Sequence, residues 1–500
     1  MRYSATVALA ATAYAVSPIE VQNQELIDTV SGQRFMIVGV DYQPGGQGAY
    51  TGNGEGSDPL SVPDACLRDA ALMQNLGINT IRCYNVDPLL NHDECMSIFN
   101  SIGIYAIIDV NSPKNSLDRS NPGGSYNEDY LSHVFQNIEA FKNYPNTLGF
   151  FSGNEVMNDI PTSQDNPPYI RAVQRDMKDY IANHANRTIP VGYSAADVAD
   201  ILYDTWNYMQ CSLGGNDNSQ SDFFGLNDYS WCGSDSSYTI SGYDQKVAHF
   251  ANSSIPVFFS EYGCNKPSPR QFDEVLSLYG PEMTVMSGGL VYEWSQETSN
   301  YGLVDISANG SAQLLGDYNT LLSQYNKLNA TLLTSQNSTA TNIQPPTCDS
   351  GLITNDVFST DFDIPSPPDG VSDLIQNGVS NAPSGSIVRV TQTSVGMAVF
   401  QTNGAPVENL QITPAASANQ PGGGSLQTGS APSSSSHASS TSAPSASSTS
   451  DSTASSTASS TSNDNAAAAA TSDSAAVPLD LGVMGSGALA GIFGMAAFVL

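Results

Sequence analysis

Two glutamates stand where side chains could do chemistry. Glu155 lies near the end of Thr147–Val156 (TLGFFSGNEV) and Glu261 in Pro256–Cys264 (PVFFSEYGC). Each follows a strand-like stretch of aromatic and small residues, and Asn154 directly precedes the first. Enzymes built on parallel barrels place their chemistry at the carboxyl ends of the strands. Two carboxyl groups from different strands supply the acid/base and the nucleophile that break a glycosidic bond, about 5–5.5 Å apart in a retaining mechanism. Asn154 suits a donor that holds a sugar 2-hydroxyl. A lone glutamate of this kind is more often a surface-loop residue; two in matching contexts, one after Asn, favour the catalytic reading. Phe150 and Phe151 are apolar material able to hold an acid protonated. Tyr262 or Tyr292 is expected to donate to the nucleophile. Tyr84, Asp109, Tyr229 and Tyr292 also fall at strand ends and would wall a sugar groove.

The elements that must position these residues alternate. Strands are expected at Phe35–Tyr42, Thr80–Val86, Tyr105–Val110, Thr147–Asn154, Ile189–Ser194, Phe223–Tyr229, Pro256–Ser260 and Gly288–Trp294. Between them fall helical stretches such as Val62–Leu76, Asp93–Ser101, Tyr130–Asn143, Tyr169–Ala185, Tyr243–Asn252, Pro269–Tyr279 and Leu314–Leu328. Eight strands alternating with helices in about 300 residues predict an α/β chain folded as a (β/α)8 TIM barrel. Glu155 then ends the fourth strand and Glu261 the seventh, across the mouth. A doubly wound sheet would usually carry a phosphate fingerprint after its first strand. Gly45–Gly56 lacks one and reads as a cleft loop. The five histidines (92, 133, 184, 249, 437) are scattered and form no metal or nucleophile motif, so neither metal nor cofactor is expected.

Composition limits the alternatives. The chain has 500 residues and a net charge of −32, which repels nucleic acid. Only 13% of it is charged, which suits an acidic extracellular medium and uncharged substrates. Residues 1–15 read as a secretory signal peptide and 16–345 as the catalytic domain. Residues 346–414 are a small extension with β-like pieces at Ser386–Thr393 and Gly396–Thr402. Residues 415–465 form a Ser/Thr/Ala-rich stalk without the aliphatic content to fold. Small residues from Asn465, a polar spacer and the apolar, charge-free 482–500 make residues 466–500 a GPI-anchor signal, with Asn465 as the anchor site. Seven cysteines in a secreted chain point to disulfides, leaving one over; Cys83, inside an apolar strand, is the candidate free thiol. Five N-x-S/T sequons (Asn186, Asn252, Asn309, Asn329, Asn337) agree with secretion.

The motifs DYQP (41–44), GFFSGNEV (149–156), IPVGYS (189–194), IPVFFSEYGCN (255–265) and SGGLVY (287–292) together resemble the fungal GPI-anchored β-1,3-glucanosyltransferases, glycoside hydrolase family seventy-two. The resemblance implies a retaining transglycosylase of the cell wall. Glu261 would attack the anomeric carbon of an internal β-1,3 linkage while Glu155 protonates the leaving oxygen. Glu155 would then activate the 3-hydroxyl at the non-reducing end of a second glucan. Tyr84, Asn154 and Tyr292 match donor-chain positions, as does the loop after the third strand with Ser112, Asn115, Ser116 and Arg119. Gln43 lies in the first matching motif, Asp109 and Tyr229 complete the groove, and Asp197 matches an acceptor-side position. Some relatives carry a basic residue shortly after that Asp, where this chain reads Val198-Ala199-Asp200-Ile201-Leu202. The resemblance also implies the disulfides Cys66–Cys95, Cys211–Cys348 and Cys232–Cys264. A monomer is expected, held by its anchor at the extracellular face of the plasma membrane or moved into the wall, with glucan donor and acceptor as partners. A β-1,3-glucan hydrolase using the same carboxylates and a non-catalytic glucan-binding wall protein are the alternatives.

Overall fold

The computed structural model describes residues 16–46, 48, 50, 58–336 and 342–427. The signal peptide, Asn465, the apolar end and most of the Ser/Thr-rich stretch lie outside them. Among the described residues no helix is long and apolar enough to cross a membrane.

Eight parallel strands close a barrel: β1 (Ile37–Asp41), β2 (Thr80–Cys83), β3 (Tyr105–Asp109), β4 (Thr147–Asn154), β5 (Val191–Ala196), β6 (Phe223–Asp228), β7 (Val257–Tyr262) and β8 (Gly288–Val291). Each lies within or beside an expected run, because short, doubly buried strands read as nearly continuous apolar stretches. β8 returns to β1 with Gly288 opposite Ile37. Gly288 has φ +91°, and a β-carbon there would meet the Ile37 carbonyl oxygen at 2.1 Å, so closure needs glycine.

The outer ring comprises α1 (Pro63–Leu76), α2 (Asp93–Ser101), α3 (Glu128–Phe141), α4 (Pro167–His184), α5 (Leu202–Gln210), α6 (Tyr243–Phe250), α7 (Glu274–Leu278) and α8 (Gly316–Tyr325). Local signals set their ends. Pro63 opens α1 and Gly77, at φ +84°, caps it. Asn127 accepts the Tyr130 N–H at 3.0 Å to start α3. The helix expected from Pro269 is only Glu274–Leu278, since Phe272 takes φ +53° and breaks the turn. α5 was not among the expected helices. It is buried on the strap-facing side as well, where the Asp204 carboxylate accepts the N–H groups of Thr354 and Asn355 at 2.9 and 2.8 Å.

An unexpected hairpin, Ile19–Gln22 with Glu25–Asp28, seals the barrel floor. Val16, Ile19 and Leu26 join Ile37, Ile107, Leu148, Phe151, Phe223 and Phe258 in one buried cluster.

The extension beyond residue 345 is a strap around the ring. It starts at Cys348, disulfide-bonded to Cys211 at the end of α5. The strap's Pro365 carbonyl accepts from Arg175 of α4, and its helix Val371–Asn377 lies against α4 and α3. Ser386 and Val388 N–H groups donate to Asp93 and Ser97 of α2 at 2.7 and 2.9 Å. The stretch expected as a β-piece at 386–393 therefore spends backbone donors on helix side chains and forms no strand. Only Val399–Phe400 does, parallel to Ala312–Leu314. Packing continues past the boundary drawn at 415: Ala415 N–H donates to Ser101 O at 2.8 Å and Asn419 N–H to Gly103 O at 2.9 Å. Residues 415–427 thus belong to the strap, held by backbone bonds that a low-complexity composition does not forbid.

Cys66–Cys95 joins α1 to α2, and Cys232–Cys264 joins the segments after β6 and β7. All three pairs are those the resemblance implied, and Cys83 is free and buried. Four sequon asparagines (186, 252, 309, 329) are exposed; Asn337 lies outside the described residues.

Candidate active site

The mouth is built from side chains that point inward at the last residues of the strands. Arg82 of β2 is fully buried and organises it. Its guanidinium grips Asp109 of β3 through Nε and Nη2 at 3.0 and 2.8 Å, a bidentate pair. Nη2 also reaches Asn154 Oδ1 at 3.0 Å, and Nη1 reaches Glu261 Oε1 at 3.4 Å. The Tyr84 and Phe151 rings lie against the guanidinium, 4.3 and 4.6 Å from their centroids.

Glu261, 8% exposed within β7, is held from both sides. Tyr84 donates to Oε1 at 2.8 Å and Tyr229 to Oε2 at 2.7 Å. Burial pushes its carboxyl up, to about 7; Arg82 opposes that, the Glu155 charge adds to it, and the two tyrosine hydroxyls favour the ionised form. The expected donors Tyr262 and Tyr292 do not serve. Tyr262 follows Glu261 on the strand, so it points to the opposite face and pairs with Tyr325 at 3.1 Å. Tyr292 packs edge-on to Tyr84, Tyr229 and Tyr301, with centroids 6.4, 6.2 and 5.3 Å away, and forms the aromatic wall.

Glu155 directly follows β4 at φ +48°, a left-handed conformation uncommon for a residue with a β-carbon. Its N–H donates to Ser194 O at 2.9 Å, which fixes the turn. Asn227 Nδ2 donates to its Oε1 at 2.8 Å. Three donors converge on Asn154 Oδ1: Arg82, Ser194 Oγ at 2.8 Å and Asn227 Nδ2 at 3.1 Å. That convergence assigns the carbonyl oxygen to the network and leaves Nδ2 to a ligand. Phe151 faces the barrel interior with Phe223 and Phe258, whereas Phe150 faces the helices, as alternation along a strand requires.

The other expected residues divide. Asp109 is buried against Arg82 and supports the site from beneath. Gln43 ties the loop after β1 to the loop after β2: its Oε1 accepts from Asn85 N at 3.0 Å and its Nε2 donates to Asn85 O at 3.3 Å. Ser112 and Asn115 bond to each other through their backbones at 3.0 and 3.1 Å, making a compact turn. Ser116 and Arg119 follow it, half-buried, on the Glu155 side, where Arg119 and Glu155 both act on Tyr193. Among the described residues no hydrogen bond joins Ser112, Asn115, Ser116 or Arg119 side chains to either glutamate. Asp197 sits beyond β5 and pairs with Lys246 of α6 at 3.1 Å; Lys246 also holds Asp228 at 2.8 Å. A cation thus reaches Asp197 from another helix, where the chain lacks a local one.

Arg82, Ser194, Asn227, Ser260, Tyr301 and Asp41 were missed by the sequence reading. An arginine inside the apolar run Thr80–Val86 was a usable signal, since a buried guanidinium demands buried acceptors. Among the described residues no cluster of potential ligands fits a metal ion.

A (β/α)8 barrel with an acid from β4 and an acid from β7 at its mouth is the architecture of a carbohydrate-active enzyme. Comparison with known proteins gives the family. The glucanosyltransferase family model (Glyco_hydro_72) matches residues 8–329. The chain is 54% identical over 425 residues to the 1,3-beta-glucanosyltransferase gel2 of Aspergillus fumigatus, covering 84% of this chain and 88% of that one. It is 49% identical over 406 residues to the probable 1,3-beta-glucanosyltransferase GAS3 of Saccharomyces cerevisiae, covering 76% and 77%. A solved mutant of Saccharomyces cerevisiae Gas2p, in complex with laminaritetraose and laminaripentaose, aligns with TM-score 0.62 and 35% identity over 71% of this chain and 75% of that one. The chain belongs to the glycoside hydrolase 72 glucanosyltransferase family.

Proposed function

We propose that this chain is a retaining 1,3-β-glucanosyltransferase that cleaves an internal β-1,3 linkage and transfers the new reducing end to the non-reducing end of another glucan. The observation that carries the reading is the unequal treatment of two glutamates across one mouth. Glu261 receives two hydroxyl donors and a guanidinium, which favour a carboxylate and fix its direction of attack. Glu155 receives a single amide donor on Oε1, which orients the group without demanding a charge. Glu261 is the nucleophile that forms the glycosyl-enzyme bond as Glu155 gives its proton to the leaving oxygen. Glu155 then takes the proton of the acceptor 3-hydroxyl, whose oxygen displaces Glu261 and restores the β-linkage.

The remaining assignments follow from position. Asn154 Nδ2 holds the 2-hydroxyl beside the reacting carbon, and Tyr292, Tyr301 and the loop 112–120 line the donor groove. Asp197, kept at the rim by Lys246, serves the acceptor side. The relatives are fungal, and the order of Ser/Thr-rich stalk, small residues at Asn465 and charge-free apolar stretch supports GPI anchoring at the outer face of the plasma membrane, with wall glucan as substrate.

The test is incubation of residues 16–427 with an end-labelled laminari-oligosaccharide, resolving products by length. Products longer than the substrate, absent with Glu155→Gln or Glu261→Gln, are the expected result. Only shorter products would make the protein a hydrolase, and an unchanged substrate would make it a glucan-binding protein.

A further inference from the structure

Beneath the nucleophile lies a carboxyl group that the mechanism above does not use. Asp41 ends β1 and is fully buried, with 0% exposure. It stands opposite Arg82 in the β1–β2 register, so both side chains point into the barrel. Neither of its oxygens receives a hydrogen bond from any described residue. The charged and titratable groups around it are Arg82 and the Cys83 thiol from β2, Asp109 from β3, Glu261 from β7 and Glu293 after β8, with the Tyr84, Tyr229 and Tyr292 hydroxyls beyond.

One cation, Arg82, here faces the carboxyl groups of Asp41, Asp109 and Glu261 at close quarters, while Glu293 accepts from Ser299 Oγ at 3.2 Å and has Arg270 nearby. A buried cluster of that composition retains at least one proton, because like charges in a water-poor site cannot all ionise. Donor distribution says where the proton sits. Asp109 takes two guanidinium N–H groups. Glu261 takes two hydroxyls and shares the third guanidinium contact. Asp41 takes none, and an ionised carboxylate without donors is the costliest state in the cluster.

We propose that Asp41 is held as the neutral acid, carrying the cluster's proton so that Arg82 commits its charge to Asp109 and Glu261, and that it is thereby a positioning residue for the nucleophile. Burial acts in the same direction, raising the Asp41 carboxyl well above its ordinary range. The proposal rests on Glu261 being the nucleophile for its consequence, while the protonation state itself can be read without turnover.

Two readouts test it. The infrared C=O stretch of a neutral carboxylic acid is recorded at about pH 9.5, well past the values of about 7 and 8 to which burial raises Glu261 and Glu293. A neutral-acid band present in the unmutated protein and missing in Asp41→Asn is expected. The acid limb of kcat/KM is then compared. Asparagine has the charge of the neutral acid, so the limb moves by less than about 0.3 pH unit, whereas removing a true neighbouring charge would lower it by roughly one unit or more. A downward shift of that size, or the same band in both proteins, overturns the proposal. Should Asp41→Asn not fold, Glu293→Gln keeps Asp41 together with Arg82, Asp109 and Glu261 and must still show the band; its absence is equally fatal. Turnover surviving Glu261→Gln would instead defeat the assignment of the nucleophile and leave the infrared result standing.

Discussion

Phe151, Phe223 and Phe258 pack ring against ring on the barrel floor, with centroids 5.3 to 6.1 Å apart. Three or four residues further along the same strands stand Asn154, Asn227 and Glu261. The lower half is apolar and closed by the hairpin; the upper half is a lattice of amides, hydroxyls, one guanidinium and carboxyl groups. The floor supplies stability through burial, and the mouth spends some of it by desolvating charge. Because each of these strands carries both materials, the positions of Asn154, Asn227 and Glu261 are inherited from the packing of the rings below them.

Substitutions on either side can break that division. The largest effect is expected from Glu261→Gln, which should cost on the order of 10⁴-fold in transfer rate. Its melting temperature should not fall, because a buried amide replaces a desolvated acid. A large fall would mean that the mouth stabilises the barrel after all. Phe258→Ala should act in the opposite sense, lowering stability by about 3–5 kcal/mol through a cavity in the floor, as read by denaturant unfolding. Tyr229→Phe removes one charge-assisted hydrogen bond, of about 1.5–3 kcal/mol, from Glu261. A matching loss in kcat/KM is expected. Since that bond favours the ionised form, the acid limb should also move to higher pH. The smallest effect concerns Glu293, whose carboxyl burial raises to about 8. Between the ordinary glutamate value and that one, the folded chain keeps a proton that the unfolded chain releases. Its stability is therefore highest in acid and declines as pH rises through that window. Glu293→Gln should flatten the decline, measured as melting temperature against pH.

Legibility in the sequence follows the same division. The barrel was readable because doubly buried strands leave uninterrupted apolar runs, and both glutamates were readable because they end such runs. Asn227 was not, since an amide before Asp228 and Tyr229 has no pattern that separates a ligand to Glu155 from an ordinary strand-end residue. Asp41 was visible only as the first residue of the DYQP motif; what it does comes from neighbours on three other strands. The strap was illegible for a different reason. It is fixed by scattered backbone hydrogen bonds to Asp93, Ser97, Asp204 and Ser101, and such contacts impose no hydrophobic period on the segment that makes them. α5 was hidden likewise, because it buries Asp204 against the strap and so shows no clean polar face.

Near its far end the strap closes over the amino-terminal side of the barrel. Asn419 donates to the carbonyls of Gln74 and Ile78 and Gly424 to Asn326, all on turns that feed the amino ends of the strands or on the helix ends beside them. This stretch of the strap therefore lies on the side opposite the cleft, and from there the chain turns back to Gln427, whose carbonyl accepts the Glu408 N–H at 3.1 Å. A clasp at that place holds the turns that precede the strands, so its loss would be felt first at the floor and not at the two glutamates.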